Sequence, residues 1–181
     1  LRWSDIELNT EAHSYLTVAG QTAAGGIQIK GPKRSISIHG PVHDVVIRHL
    51  RIRPGTTEDQ SYETSSPIIL LGAVNNIVID HCSIAWGNHA LLETYQGIRN
   101  VTYQWNLIAE GAESPYGYTF ALTGRDGVAT RMVSFHHNLI AHTLGPNPGG
   151  AGVGVFDVRN NLVYNFVYDN LSVGSKDQNS S

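Results

Sequence analysis

Four histidines and one aspartate are the residues of this chain whose types first suggest chemistry: His81, His136, His137 and His142, with Asp80 directly before His81. Imidazole ligates borderline metals and titrates nearer neutrality than any other side chain, so such a group reads as a metal centre or an acid–base pair. Spacing weighs against the metal. His81 and His137 share one phase of a sequence repeat with His49, Trp105 and Asn160, whereas Asp80 and His136 share another with Arg48, Gln104 and Arg159. Neighbours along a strand point to opposite faces, so Asp80 and His81 are expected to separate, and a stacked polar ladder is preferred to a metal site. An acid or base role for one histidine stays open. The aromatic residues Trp86, Tyr95, Tyr103, Trp105, Tyr116 and Tyr118 offer flat apolar surface on which sugar rings can pack. Tyr103 falls in a core phase and Trp105 in an outward one. Trp105, with His81 and His137 of its own phase, is therefore the carbohydrate-binding candidate. No phosphate loop, Ser-His-Asp order or paired-cysteine zinc motif occurs.

The elements that must position these residues are written in the repeat itself. Val45 to Ile52, Ile77 to Ile84, Val101 to Ile108, Val133 to Ile140 and Phe156 to Val163 align without a gap, at offsets of 32, 24, 32 and 23 residues. One supersecondary unit per repeat, with insertions confined to loops, gives such spacing. The first column reads Val45, Ile77, Val101, Val133, Phe156, and the third Ile47, Ile79, Tyr103, Phe135, Val158. The eighth reads Ile52, Ile84, Ile108, Ile140, Val163. Residues two apart on a strand share a face, so these columns form one core only if the units stack parallel and in register. The fold class expected is all-β: a single-stranded right-handed parallel β-helix of about six or seven coils, roughly 4.8 Å apart. The sixth column, Leu50, Cys82, Asn106, Asn138, Asn161, predicts an asparagine ladder. An Asn at a bend tolerates left-handed backbone geometry, and its amide can bond the equivalent Asn one coil away.

Leu16 to Gly20, Ile27 to Lys30 and Ser35 to Ile38 read as strands of early coils, and Pro54–Pro67, Glu110–Thr130 and Thr143–Gly154 as loops. Residues 1–173 form one expected β-helix domain and 174–181 a polar C-terminal tail. At 181 residues a chain buries roughly 70% of its unfolded surface without staples. A net charge of −3 with no long run of either sign argues against nucleic-acid and anionic-membrane partners. Cys82 has no partner cysteine and reads as a buried, inert thiol. No apolar run approaches membrane-spanning length, and Leu1 to Asp5 does not read as a signal peptide.

Six ordered segments resemble one enzyme family. They are Ala19 to Gly26, Val46 to Gly55, Ile79-Asp80-His81-Cys82-Ser83-Ile84-Ala85-Trp86-Gly87, Gln104 to Gly111, Ser134-Phe135-His136-His137-Asn138-Leu139-Ile140-Ala141-His142, and Arg159 to Asn165. Over about Leu16 to Phe166 the chain is similar to the pectate lyases. The resemblance implies an extracellular right-handed parallel β-helix that cleaves polygalacturonate by calcium-assisted β-elimination. It also implies an arginine base, a second cation on the substrate carboxylate, and calcium held by several carboxylates.

This chain departs from that set. The family's Arg-Asn-Pro-Arg loop after the His-His-Asn motif is Pro146-Asn147-Pro148-Gly149 here, so both arginines are absent. The expected acidic positions fall at about Ser65 and Pro67 and at His89 and Ala90, and an expected basic one near Glu113. Glu93 alone stands where the resemblance places a calcium ligand, and calcium takes six to eight oxygens, so no metal site is assigned. Arg125, Arg131 and Glu113 are the candidates for replacement catalytic groups. Two functions are expected. One is a non-catalytic structural, self-assembling or carbohydrate-binding module without a cofactor, whose partner is an acidic polysaccharide or itself. The other is a diverged polysaccharide lyase that uses calcium. Neither end of the repeat shows an amphipathic helical cap, which raises head-to-tail stacking into open filaments beside a monomer whose own ends plug the core.

Overall fold

In the computed structural model of the chain, residues 6–31, 34–54, 66–87, 89–95, 97–111, 118–123, 131–151, 154–168 and 171–174 are described. The first coil runs through β1 (Ile6–Leu8), β2 (Leu16–Ala19) and β3 (Ile27–Ile29), and the second through β4 (Arg34–His39), β5 (His43–Arg48) and β6 (Leu50–Ile52). The third comprises β7 (Ser66–Leu71), β8 (Asn75–Asp80) and β9 (Ser83–Ala85), and the fourth β10 (Ala90–Tyr95), β11 (Arg99–Gln104) and β12 (Leu107–Ala109). The fifth comprises β13 (Tyr118–Thr123), β14 (Arg131–His136) and β15 (Leu139–Thr143), and the sixth β16 (Gly149–Ala151), β17 (Phe156–Arg159) and β18 (Leu162–Phe166). β19 (Ser172–Gly174) opens a seventh. Each coil gives one strand to each of three sheets, the first of seven strands and the others of six, and neighbouring strands pair parallel. This is a right-handed parallel β-helix.

The five repeats lie in register, Val45 opposite Ile77, Ile77 opposite Val101, Val101 opposite Val133 and Val133 opposite Phe156. The columns beginning at Val45, Ile47 and Ile52 are at most 1% exposed from the second coil through the fifth. Each such Ile or Phe side chain contributes about 1.5–3 kcal/mol by leaving water. In the end coils Leu16, Val18, Ile29, Phe156, Val158 and Val163 are only partly buried.

The first sheet corrects the loop assignments. β7 begins inside the stretch read as the Pro54–Pro67 loop, β13 lies within Glu110–Thr130, and β16 within Thr143–Gly154. β7 and β10 of this sheet are buried on both faces, so they lack the alternation that marks a half-exposed strand. Gly174 ends β19 instead of starting a tail, and the remainder of the expected tail lies outside the described residues.

The corner between the second and third sheets also differs in detail. The left-handed residue is the one before each sixth-column residue: His49, His81, Trp105, His137 and Asn160 have φ of 55°, 50°, 54°, 55° and 52°. One such residue turns the chain sharply and aims the following side chain inward. Asn106, Asn138 and Asn161 therefore stack inside the corner. The Oδ1 of Asn138 accepts from the backbone N–H of Asn106 at 3.0 Å and from its Nδ2 at 3.1 Å. Asn161 Oδ1 accepts the equivalent pair from Asn138 at 2.9 and 3.0 Å. Asn106 Oδ1 accepts from Cys82 N–H at 2.9 Å, which ends the stack.

A second left-handed column, Tyr15, Asp44, Asn76, Asn100 and Met132, lies at the start of the second-sheet strands. Asn100 Nδ2 donates to Asn76 Oδ1, and Asn76 Nδ2 to Asp44 Oδ1, each at 3.1 Å. Met132 sits opposite this ladder's end, 62% exposed at φ 58°. Left-handed geometry costs an ordinary L-residue about 1–2 kcal/mol and Asn less. Met132→Asn is expected to stabilise by about 1 kcal/mol and raise the melting temperature by about 2–4 °C. A lower midpoint in thermal unfolding would contradict this.

Candidate functional site

The left-handed corner residues project outward and stack on one another. Ring centroids of His49 and His81 are 5.0 Å apart, those of His81 and Trp105 6.1 Å, and those of Trp105 and His137 4.5 Å, with interplanar angles of 30°, 19° and 20°. Asn160 Nδ2 continues the column 3.3 Å from His137 Nε2. The three carbohydrate-binding candidates, Trp105, His81 and His137, thus form one continuous strip with His49. Since the rings face each other, their faces are occupied and their edges meet solvent; Trp105 is 52% exposed. On the third-sheet side the strip is flanked by an in-register row of exposed Leu107, Leu139 and Leu162.

The separation expected of Asp80 and His81 does not hold. Asp80 Oδ1 lies 2.7 Å from His81 Nδ1 and accepts from Gln104 Nε2 at 3.1 Å. Alternation applies within a strand, whereas His81 is the left-handed corner residue just after β8, so its side chain swings back beside Asp80. His136 and His137 are likewise adjacent, with Nδ1 atoms 2.8 Å apart. Such a contact needs one donor and one acceptor. Burial, followed by the charges of Arg159 and His137, holds the His136 imidazole below its ordinary value, with Asp157 opposing.

Glu93 lies elsewhere, on β10 of the first sheet, 4% exposed. Ser66 Oγ donates to its Oε1, and His89 Nδ1 lies 2.7 Å from the same oxygen. Burial pushes this carboxyl up, but the His89 hydrogen bond, the Ser66 hydroxyl, the His89 charge and the Tyr95 side chain outweigh it and hold it below the usual range. Serine bonds the carboxylate, not the imidazole, so the trio is not a nucleophile–base arrangement. Its register neighbours are Ile69 and Ala121, which offer no side-chain oxygen. Among the described residues a calcium ion does not fit here, because its oxygen demand meets one carboxylate already committed to Ser66 and His89.

Arg131 opens β14 on the second sheet, exposed and opposite Arg99. Glu113 and Arg125 lie outside the described residues. In the loop where the family's arginines are missing, Asn147 is fully buried and accepts from Thr143 Oγ1 at 2.7 Å. Trp86 donates through Nε1 to Glu110 at 2.7 Å and carries Arg53 over its ring at 5.4 Å. Tyr103 is fully buried, its hydroxyl 2.7 Å from Thr94 Oγ1. Burial pushes the Cys82 thiol up to about 11, consistent with an inert core group.

No protein-family model matches the chain. Curated relatives do. "Probable pectate lyase C" of Emericella nidulans is 32% identical over 163 residues, covering 90% of this chain and 35% of the relative. Proteins of the same name from Aspergillus terreus and Aspergillus oryzae are each 31% identical over 152 residues, covering 83% of the chain and 33% of the relative. The chain thus spans about a third of the length of these relatives. In its sequence over most of its length and in its stacked parallel sheets, the chain is a pectate-lyase-like β-helix.

Proposed function

We propose that the chain is a non-catalytic, extracellular polysaccharide-binding module that takes an acidic polysaccharide along the corner between the second and third sheets. The observation that carries this reading is the in-register column His49, His81, Trp105 and His137, in which His81 and Trp105 are exposed and His49 and His137 half-buried. Stacked rings present no free faces to a sugar, so recognition comes from ring edges. Imidazole and indole N–H groups are donors suited to hydroxyls and carboxylates, and one ring edge recurs at each coil from the second to the fifth. Leu107, Leu139 and Leu162 supply an apolar flank for sugar C–H faces. Arg48 and Arg51, in neighbouring columns, offer cations to an anionic chain, with Asp80 opposite Arg48, while Arg159 is paired with Asp157.

The relatives' printed names support a second reading, a diverged lyase acting by β-elimination. The missing arginines at Pro146 to Gly149 and the enclosure of Glu93 weigh against it. Affinity electrophoresis in polygalacturonate gels tests the binding reading. Trp105→Asn keeps a residue type that tolerates the left-handed corner while removing the central ring, and is expected to weaken retardation at least about tenfold. Neutral galactan is expected to retard neither protein. Equal retardation of wild type and variant, or none for either, overturns the proposal.

A further inference from the structure

The near end of the ring column, read above as donating ring N–H groups to sugar, also brings ring nitrogens together with a carboxylate. His49 and His81 occupy the same phase of successive coils, and Asp80 precedes His81. One ligand atom from each of the three lies within 4.8 Å of the others. We infer that His49, Asp80 and His81 bind a divalent first-row transition-metal ion of the zinc and copper class.

Three features argue for this. First, the donors are two imidazoles and one carboxylate, a set that suits borderline metals and not calcium, which prefers oxygen throughout. Second, the geometry is close to closed. Ligand atoms around a tetrahedral zinc, with bonds of about 2.0–2.1 Å, are about 3.3 Å apart. The 4.8 Å limit therefore leaves at most about 1.5 Å to close, which rotation of the exposed His81 and the half-buried His49 supplies. Parallel, in-register strands hold the two histidine backbones one coil apart, so little chain order is lost on chelation. Third, the surroundings steady the set. Gln104 Nε2 donates to Asp80 Oδ1 at 3.1 Å, orienting the carboxylate as an outer-sphere partner does. Trp105 stacks on His81 with centroids 6.1 Å apart, shielding the site on the side of the next coil. The three protein ligands leave a fourth position for water or an external anion. Asp80 and His81 already share a contact of 2.7 Å, and the metal would take the place of the proton between them.

The untagged chain, freed of metal with a chelator, tests the inference. Titration calorimetry with zinc chloride is expected to show one site per chain. Copper(II) is expected to quench the fluorescence of Trp105, which touches His81, and zinc to reverse the quenching by competition; millimolar calcium should not. His49→Asn and Asp80→Asn, chosen to preserve the corner backbone and the Gln104 contact, are each expected to weaken zinc binding tenfold or more. His142→Asn, on another corner, is expected to bind as wild type. Melting temperatures without metal establish that the variants are folded; should one not fold, the other decides. Wild-type affinity in a folded His49→Asn or Asp80→Asn variant overturns the site, as does absence of zinc binding at millimolar concentration.

Discussion

Replacing Asn138 with leucine is expected to destabilise the β-helix by about 3 kcal/mol, although leucine fits the position in shape. Leu50 occupies the same phase three coils earlier and is 1% exposed, so the cost does not come from bulk. It comes from orphaned groups. Asn138 Oδ1 accepts from Asn106 N–H and Nδ2, and its own Nδ2 donates to Tyr103 O at 3.1 Å and to Asn161 Oδ1. Asn106 Nδ2 keeps its second acceptor, Ile79 O, but the Asn106 backbone N–H and the Tyr103 carbonyl lose this partner inside the protein. Each buried unsatisfied group costs about 1–3 kcal/mol. Urea denaturation measures the effect, and a loss below about 1 kcal/mol would show that the stacked amides contribute little.

Glu93 is the second position of large expected effect. Glu93 is buried and bonded to both His89 and Ser66, and hydrogen bonds to charged groups contribute about 1.5–3 kcal/mol each, so Glu93→Ala is expected to destabilise by about 3 kcal/mol. Its pH dependence is specific. The folded carboxyl sits below its ordinary value of 4.5, so its contribution is complete above that value and is lost as pH falls through the folded pKa. His136 is also held below its ordinary value of 6.5, and its contribution likewise fades as the medium is acidified. Glu93→Gln is therefore expected to flatten the lower part of the acid limb and leave the part near neutrality in place. An unchanged acid limb in Glu93→Gln would place the sensitive carboxylate elsewhere.

Legibility followed periodicity. Columns such as Val45–Ile77–Val101–Val133 alternate with polar residues, so strand, register and core could be read together. Leu91 and Leu92 of β10 do not alternate, because both faces of that strand are buried, and Gly149-Gly150-Ala151 of β16 carries turn residues into a strand. Those strands were hidden for that reason. The ring strip was legible from the shared phase of His81, Trp105 and His137. The stacked ladder expected of that phase is what the rings form, whereas the left-handed backbone that carries them was not legible. The same backbone defeated the alternation rule for Asp80 and His81. The environment of Glu93 was invisible for a different reason: Ser66 lies 27 residues away and meets it only through strand pairing.

The central claim, a pectate-lyase-like β-helix that binds acidic polysaccharide without cleaving it, is tested most directly by ultraviolet absorbance of unsaturated uronide ends. The chain is incubated with polygalacturonate and calcium, with gel retardation measured on the same samples. A flat absorbance trace alongside retained binding is the expected result. A sustained calcium-dependent rise in absorbance, abolished in a folded Glu93→Gln variant, would contradict it.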